Sequence, residues 1–353
     1  MGSESIEASF LSIFALISFF IFMVISKYSH KIKNGILLDE DFLKPQSFHQ
    51  YPVTRSGGIA VLISFLIFIK IYDLLYSKIL YDYLFIGASM FFVGFLDDLK
   101  THIKPSVRLL LMISILFVII YFLEIKIFNV DIPFLSFLIN NQFFSSVFVL
   151  LCFLFIINGA NLIDGFNGLL GINLLIINII LLVINLNNAN LEFSFLLISQ
   201  IIILLSFLLF NFPKAKIFLG DSGAYLIGSL SALNVIITNN LNPNISSFFF
   251  CTLLFYLFFE VFFSFFRKII QKKSPIYPDN KHLHMLSFYK ISKNLGKDNA
   301  NFLNSIFINI IYLILVVPSL YFADNPTISR YWFFILLFIY VGIYSRLYHL
   351  TKN

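Results

Sequence analysis

Apolar residues run through this chain in long blocks, and polar residues are confined to the short segments between them. Most blocks approach the roughly 20 residues that a helix needs to cross the hydrocarbon core of a bilayer. The pattern predicts eleven membrane-spanning helices, at residues 8–26, 57–76, 80–96, 106–124, 143–158, 168–186, 193–212, 222–239, 247–267, 302–322 and 330–349. We therefore expect an all-α polytopic integral membrane protein that forms a single helical domain over residues 1–353.

The first block lies where a cleaved signal peptide would also be apolar. It has no basic leader and no obvious small-residue cleavage site. We expect it to be a retained transmembrane helix.

The composition agrees with a membrane location. Hydrophobic residues make up 59% of the chain, charged residues only 12%, and 47 residues are Phe, which is more apolar surface than a soluble domain can bury. The two cysteines, Cys152 and Cys251, lie inside apolar blocks and provide neither a disulfide framework nor a zinc site.

The distribution of positive charge predicts the orientation of the helices. With the N-terminus outside and the C-terminus in the cytoplasm, only four of the 24 Lys and Arg residues fall outside, namely Lys70, Lys78, Lys126 and Arg330. Short cytoplasmic loops carry the excess of positive charge in membrane proteins. The formal net charge of +6 is therefore a topology signal, and we expect no nucleic-acid partner.

Four polar clusters lie on the predicted cytoplasmic side. They are Asp97, Asp98 and Lys100 at the end of the third block, NGANLIDGFNGLLG from Asn158, FLGDSGA from Phe218, and SPIYPDNKHLHML from Ser274. A single carboxylate at a helix end is usually an interfacial anchor. Several such clusters on one membrane face favour a functional site instead.

The acidic residues of these clusters are Asp97, Asp98, Asp164 and Asp221. They would repel one another strongly if they came together without a cation, and Mg²⁺ is the natural ion to neutralise them. If the segment is helical, Asn158, Asn161 and Asp164 share a broad face. That face could present two amides and a carboxylate to a sugar nucleotide or a metal.

Together the motifs resemble the polyprenyl-phosphate N-acetylhexosamine-1-phosphate transferases, which include enzymes that start O-antigen and teichoic acid and the phospho-MurNAc-pentapeptide transferase. The resemblance runs from about Arg55 to Leu286. VTRSGGIAV resembles the family's Arg-Gly-Gly segment, FLDDLK its Asp-Asp-x-x-Lys motif, NGANLIDGFNGL its Asn-x-x-Asn-x-x-Asp-Gly motif, FLGDSGA its Phe-x-Gly-Asp-x-Gly motif, and HLHM part of its histidine motif.

Three positions depart from the commoner family pattern. Asn167 stands where many members have a second Asp, Glu260 where we expect Asp, and Met285 where the last His is usual. The departures at Asn167 and Met285 put the direct chemical roles of those positions in doubt.

The resemblance implies transfer of a sugar 1-phosphate, with an N-acetylhexosamine as the expected sugar, from a UDP-sugar to undecaprenyl phosphate. The products would be undecaprenyl-diphospho-sugar and UMP, in the first step of a cell-envelope glycan such as O-antigen or teichoic acid. It also implies a Mg²⁺-dependent enzyme, with Mn²⁺ as an alternative, in the lipid of the bacterial inner membrane with its site facing the cytoplasm.

The resemblance also assigns roles to residues. The expected catalytic residues are Asp97, Asp98 and Asp221, with Asp221 and Asp98 as metal ligands; which of Asp97 and Asp98 acts on the lipid phosphate stays open. The expected substrate-binding residues are Lys100, Asn158, Asn161, Asp164, Arg267, His282 and His284. Residues 268–300 are expected to form a cytoplasmic substrate-binding loop.

Other functions are compatible with parts of this pattern. A phospho-MurNAc-pentapeptide transferase would share the motifs, although the histidine segment lacks an extended stretch suited to a peptide-bearing substrate. A polytopic transporter would place its charges near the bilayer midplane and show two related halves, and a noncatalytic lipid-binding scaffold would not need the acidic motifs together. The identity of the UDP-sugar and the oligomeric state, including a homodimer, stay open.

Overall fold

The computed structural model describes residues 3–40, 51–101, 103–275 and 279–352, and these segments are almost entirely helical, as predicted. Their α-helices, α1 to α14 in chain order, are Ser3–Tyr28, Gly57–Tyr76, Tyr81–Asp98, Pro105–Phe122, Pro133–Leu138, Gln142–Ile163, Leu169–Asn187, Leu191–Asn211, Gly220–Leu241, Ser247–Leu253, Phe255–Ile270, Leu283–Leu295, Lys297–Val316 and Pro326–Lys352. There are also two 3₁₀-helices, Ser29–Gly35 and Val317–Phe322, and two antiparallel strands, β1 (Leu38–Asp39) and β2 (Val53–Thr54).

Nine of the described helices are long and apolar enough to cross a membrane, or ten if the bent pair α10 and α11 counts as one span. Helix α3 is not among them, because its 18 residues include Asp82, Asp97 and Asp98. A polytopic helical membrane protein is thereby confirmed. The number of eleven crossings and their orientation stay predictions.

The ninth predicted span is not one straight helix, contrary to the sequence prediction for 247–267. Helices α10 and α11 meet at an angle of 75°. At the break, the carbonyl of Leu253 accepts a hydrogen bond from the hydroxyl of Tyr312 in α13. A side chain that takes over a freed carbonyl is one of the recognised causes of a sharp helix bend.

Helix α9 lies at the centre of the bundle. It packs against α2, α3, α6 and α7, and most of its residues are buried. Small residues permit this close approach: a Cβ atom on Gly94 of α3 would collide with the carbonyl of Asp221. The end of α3 and the start of α9 are therefore held side by side.

Buried amides cross-link the helices around α9. The Tyr83 hydroxyl donates to Asn234 Oδ1 at 2.7 Å, and the Asn234 amide donates to Asn178 Oδ1 at 2.9 Å and to Gln200 Oε1 at 2.7 Å. Within a membrane such bonds contribute about 1 kcal/mol each. This network joins α3, α7 and α8 to α9.

A short extended segment brings the start of α2 next to the start of α9. The N–H of Phe218 donates to the carbonyl of Thr54, and the N–H of Gly57 donates back to the carbonyl of Phe218, both at 2.8 Å. Arg55 lies between these two contacts in the sequence. The pairing therefore places Arg55 close to the first turn of α9.

Two motif segments are more helical than the sequence indicated. Helix α6 continues to Ile163, so Asn158 and Asn161 belong to its last turns. The segment 268–300, expected to be a loop, contains α12. Residues 276–278 of that segment lie outside the described residues, and its role in substrate binding stays a prediction.

The predicted orientation can be tested with single cysteines in a variant that carries Cys152→Ala and Cys251→Ala. Lys273, after α11, and Asn188, between α7 and α8, are both exposed. In intact cells an impermeant thiol reagent should label Asn188→Cys and leave Lys273→Cys unlabelled until the membrane is permeabilised. The reverse labelling pattern would invert the topology.

Candidate active site

The carboxylate of Asp98 caps the N-terminus of α9. Its Oδ1 accepts the N–H of Asp221 at 3.0 Å and its Oδ2 accepts the N–H of Ser222 at 2.9 Å. The first N–H groups of a helix lack partners within the helix and favour negative charge. Asp98 is 1% exposed, so the cap forms away from water and fixes the end of α3 to the start of α9.

Gly220 makes room for this cap. Its φ of +75° lies in the left-handed region, and an added Cβ would lie 2.6 and 2.7 Å from the two carboxylate oxygens of Asp98. Glycine meets both requirements because it has no Cβ. The first Gly of FLGDSGA is therefore explained by the cap.

Arg108 connects the two remaining aspartates of the cluster. Its Nη1 lies 2.9 Å from Asp97 Oδ2 and 2.6 Å from Asp221 Oδ2, and its guanidinium lies 5.7 Å from the ring centre of Tyr225. One positive charge is therefore held between carboxylates from α3 and α9. Without that charge the two carboxylates would repel each other.

Asp97 and Asp98 have different partners, as the angle of about 100° between successive helical residues predicts. Asp98 accepts backbone N–H groups of α9. Asp97 is partly exposed and forms an ion pair with Arg108. The two adjacent carboxylates therefore occupy different environments.

Arg55 supplies a second positive charge beside the cap. It binds Asp39 through Nε at 3.0 Å and Nη2 at 2.8 Å, and its Nη1 lies 3.8 Å from Asp98 Oδ1. Burial lowers the pKa of Arg55, but the carboxylates of Asp39, Asp221 and Asp98 outweigh burial and raise it above its ordinary value. Arg55 therefore stays charged.

The asparagine motif contributes one titratable group to this cluster. Burial, followed by the nearby charge of Asp221, raises the pKa of Asp164 to about 7, and Asn161 is half-buried. The Asn158 amide instead donates to the carbonyl of Leu154 in its own helix at 2.7 Å. Asn158 was expected to act together with Asn161 and Asp164, but its amide is hydrogen-bonded within its own helix.

Asn167, one of the departures from the family pattern, has a structural contact. Its Nδ2 donates to the carbonyl of Pro213 at 2.9 Å, and its backbone N–H donates to Asn301 Oδ1 at 2.8 Å. An aspartate at this position could not make the first of these bonds, because an ionised carboxylate has no donor.

The histidine segment forms a second buried cluster. His282 Nδ1 lies 3.0 Å from Glu260 Oε2, and Arg267 Nη2 lies 3.0 Å from Asp279 Oδ2. The ring of His284 lies edge-on to Phe166, with 5.7 Å between ring centres. Because Phe166 belongs to the loop between α6 and α7, this cluster borders the segment that carries Asp164.

Burial distinguishes these residues from solvated loop residues. His282 and His284 are 1% and 0% exposed. Burial lowers the pKa of His284 to about 4, although the charge of Glu260 acts in the opposite direction. Met285, which replaces the family's last histidine, is also buried and belongs to the hydrophobic core.

The structure thus brings Asp97, Asp98 and Asp221 together, but it does not place Lys100 with them. Lys100 is exposed, has a φ of 55°, and follows Asp98 after one residue where the family motif has two. Its role as a phosphate partner stays a prediction.

Sequence reasoning missed Arg108 as a site residue. The charge distribution places Arg108 among the cytoplasmic charges, yet it lies inside the predicted apolar block 106–124. A charged residue within such a block is by default a functional candidate. That signal was present in the sequence and could have identified it.

The fit of the cluster to a divalent cation rests on two carboxylates. Among the described residues, no group of three or more His, Cys, Asp or Glu side chains could hold a metal ion. Mg²⁺ needs only one or two carboxylates when water and substrate phosphates complete its shell. Asp97 and Asp221 fit that requirement, because their Oδ2 atoms lie 2.9 and 2.6 Å from the same nitrogen of Arg108 and therefore face one point.

Comparison with known proteins identifies related transferases. Residues 81–239 match the model described as Glycosyl transferase family 4. The chain is 29% identical over 332 residues to the undecaprenyl-phosphate alpha-N-acetylglucosaminyl 1-phosphate transferase of Thermotoga maritima, covering 92% of this chain and 91% of that protein. It is 31% identical over 241 residues to the phospho-N-acetylmuramoyl-pentapeptide-transferase of Dictyoglomus turgidum, covering 62% of this chain and 73% of that protein.

The cap predicts that Gly220→Ala is strongly destabilising. The new Cβ would overlap the Asp98 carboxylate and strain the backbone, with an expected cost of about 2 kcal/mol or more. Thermal unfolding in detergent should show a clear fall in Tm.

Gly342→Ala is the matched control, because an added Cβ there meets nothing within 4 Å. Its Tm should be unchanged or slightly higher, since Ala favours a helix interior. Equal Tm values for the two variants would contradict the cap.

Proposed function

We propose that this chain, which belongs to glycosyl transferase family 4, transfers an N-acetylhexosamine 1-phosphate from a UDP-sugar to undecaprenyl phosphate. The observation that carries the proposal is the ion pairing of Arg108 with both Asp97 and Asp221, at the meeting point of α3, α4 and α9. Such an arrangement suits a reaction between two phosphates, because the chief obstacle there is charge. The reaction would be the first step of a cell-envelope glycan.

The proposed chemistry exchanges one phosphoanhydride for another. An oxygen of the lipid phosphate attacks the β-phosphorus of the UDP-sugar, the bond from that phosphorus to the bridging oxygen breaks, and UMP leaves with the electron pair. No ATP is consumed. Catalysis of this kind depends mainly on positioning and charge neutralisation.

The residues of the cluster divide these tasks. Arg108 and Arg55 provide fixed positive charge beside the diphosphate, and Asp98 holds the first turn of α9 so that Asp221 keeps its orientation. Asp97 is partly exposed and is the better placed of the adjacent aspartates to meet a substrate. Asn161 and Asp164, in the neighbouring motif, would contact the nucleotide.

Mg²⁺ or Mn²⁺ would be held by Asp221 together with Asp97. The sequence suggested Asp98 as the second ligand, but Asp98 is buried and holds the first turn of α9 with both oxygens, whereas Asp97 is partly exposed. A bound divalent ion would neutralise charge on the diphosphate and on the departing UMP.

N-acetylglucosamine is the first-choice sugar. The Thermotoga maritima relative, whose name specifies N-acetylglucosaminyl 1-phosphate, matches 92% of this chain. The phospho-N-acetylmuramoyl-pentapeptide-transferase of Dictyoglomus turgidum is the observation in favour of a muramoyl substrate. We propose a location in the bacterial inner membrane with the site open to the cytoplasm, where UDP-sugars are made.

Purified protein tests this function directly. With undecaprenyl phosphate, Mg²⁺ and a panel of UDP-sugars plus UDP-MurNAc-pentapeptide, it should release UMP and form a lipid-linked sugar from one of the N-acetylhexosamine donors. EDTA should abolish both products, and Mg²⁺ or Mn²⁺ should restore them. Transfer from no donor would refute the function, and full transfer in metal-free protein would refute the metal.

Aspartate variants separate catalysis from simple anchoring of helix ends. Asp97→Asn, Asp98→Asn and Asp221→Asn should each lower turnover per folded protein by roughly a hundredfold or more, since each removes an ionised group from an electrostatic site. Asp73→Asn and Asp324→Asn, outside the cluster, should be nearly silent. Near-normal turnover in Asp97→Asn and Asp221→Asn would return those residues to an anchoring role.

A further inference from the structure

Glu260 of α11 is a buried carboxylate that contacts three consecutive residues of the histidine segment. Its Oε2 lies 3.0 Å from His282 Nδ1, its Oε1 accepts the N–H of Leu283 at 3.2 Å, and Oε1 lies 3.8 Å from His284 Nδ1. Glu260 is 1% exposed. One charge in a nearly water-free position therefore faces the same ring nitrogen of both histidines.

These contacts select the tautomers of the histidines. An ionised carboxylate only accepts hydrogen bonds, so His282 Nδ1 must carry the proton that it donates. His282 Nε2 lies 3.3 Å from Asp279 Oδ1, so it faces a second carboxylate and is favoured in its protonated form as well. His284 Nδ1 faces two oxygens, Glu260 Oε1 and the hydroxyl of Tyr256 at 3.3 Å. A lone pair on that nitrogen could accept a hydrogen bond from the Tyr256 hydroxyl but would be repelled by the carboxylate. The charge of Glu260 favours the Nδ1–H form, in which the Tyr256 oxygen is the acceptor.

The other ring nitrogen of His284, Nε2, is buried and lacks a hydrogen-bond partner among the described residues. An unsatisfied buried polar atom costs about 1 to 3 kcal/mol, so its persistence calls for an explanation. A substrate group that completes the bond is one such explanation.

The favoured tautomer of His284 determines which substrate group can form a hydrogen bond with its Nε2. With its proton on Nδ1, a neutral imidazole presents a lone pair at Nε2 and accepts a hydrogen bond. A phosphate oxygen would be repelled by that lone pair. A sugar hydroxyl or an acetamido N–H would be bound.

We propose that Glu260 is a positioning residue that keeps a proton on Nδ1 of His282 and on Nδ1 of His284, so that Nε2 of His284 accepts a hydrogen bond from the sugar of the donor. The proposal rests on the proposed function and makes it more specific. It assigns His284 to the neutral, hydrogen-donating groups of the sugar and leaves the diphosphate to the aspartate and arginine cluster.

Nitrogen-15 NMR of histidine-labelled protein tests the tautomers without any turnover. The chain has 6 histidines, and His282→Asn and His284→Asn assign the two signals. Wild-type His284 should show a protonated Nδ1 and an unprotonated Nε2. In Glu260→Gln the amide can donate to Nδ1, so the proton of His284 should move to Nε2.

Glu260→Asp separates charge from volume. If Glu260 merely fills space, the isosteric Gln should be tolerated better than the shorter Asp. If it positions the histidines by its charge, Asp should keep the Nδ1–H form and Gln should lose it. A wild-type His284 protonated on Nε2, or a tautomer unchanged in Glu260→Gln, would overturn the proposal.

Kinetics test the contact with the sugar. The KM for the UDP-sugar should rise at least tenfold in Glu260→Gln and less in Glu260→Asp, while inhibition by UMP, which has no sugar, should change less than threefold. Glu192→Gln is the matched control, because Glu192 also accepts hydrogen bonds, from Tyr72 and Lys78, outside both clusters. Its KM should equal that of the wild type.

An equal loss of UMP and UDP-sugar affinity in Glu260→Gln would contradict a sugar-specific role. Failure of the proposed function is distinguishable, because no donor would then be turned over while the NMR result would still stand.

Discussion

The hydrogen bonds from the first turn of α9 to Asp98 are the contact on which the rest of the candidate site depends. They join the end of α3 to the start of the most buried helix of the bundle. A side-chain cap stabilises a helix by about 1 kcal/mol, and a charged acceptor away from water contributes more. Because Asp221 is the second residue of α9, the cap also sets the direction of its side chain.

The pair of adjacent aspartates uses one helix end for two purposes. Asp98 faces α9, where its carboxylate accepts two backbone N–H groups. Asp97 instead pairs with Arg108, which also pairs with Asp221. The acids lie at helix ends, where the cost of charge in a membrane is much lower than at its centre. The membrane bundle can thereby hold several carboxylates close together with arginines in place to neutralise them, as a reaction between two anions requires.

Local pattern predicted much of this arrangement. The long apolar blocks fixed the helical membrane class, and the helical angle between Asp97 and Asp98 predicted their separate partners. The bend between α10 and α11 could not be read from the sequence, because it depends on Tyr312, which is distant along the chain. Glu260 and Arg108 both lie inside apolar blocks, but only the three-dimensional packing shows that one faces the histidines and the other joins two aspartates.

The most direct test of the account is diffraction at the manganese absorption edge from crystals grown with Mn²⁺ and a UDP-sugar. The account predicts one anomalous peak bound by the Asp221 carboxylate with Asp97 as its neighbour, and an Asp98 that still accepts the N–H groups of Asp221 and Ser222. A peak remote from both Asp97 and Asp221, or an Asp98 turned away from α9 to bind the metal, would contradict it.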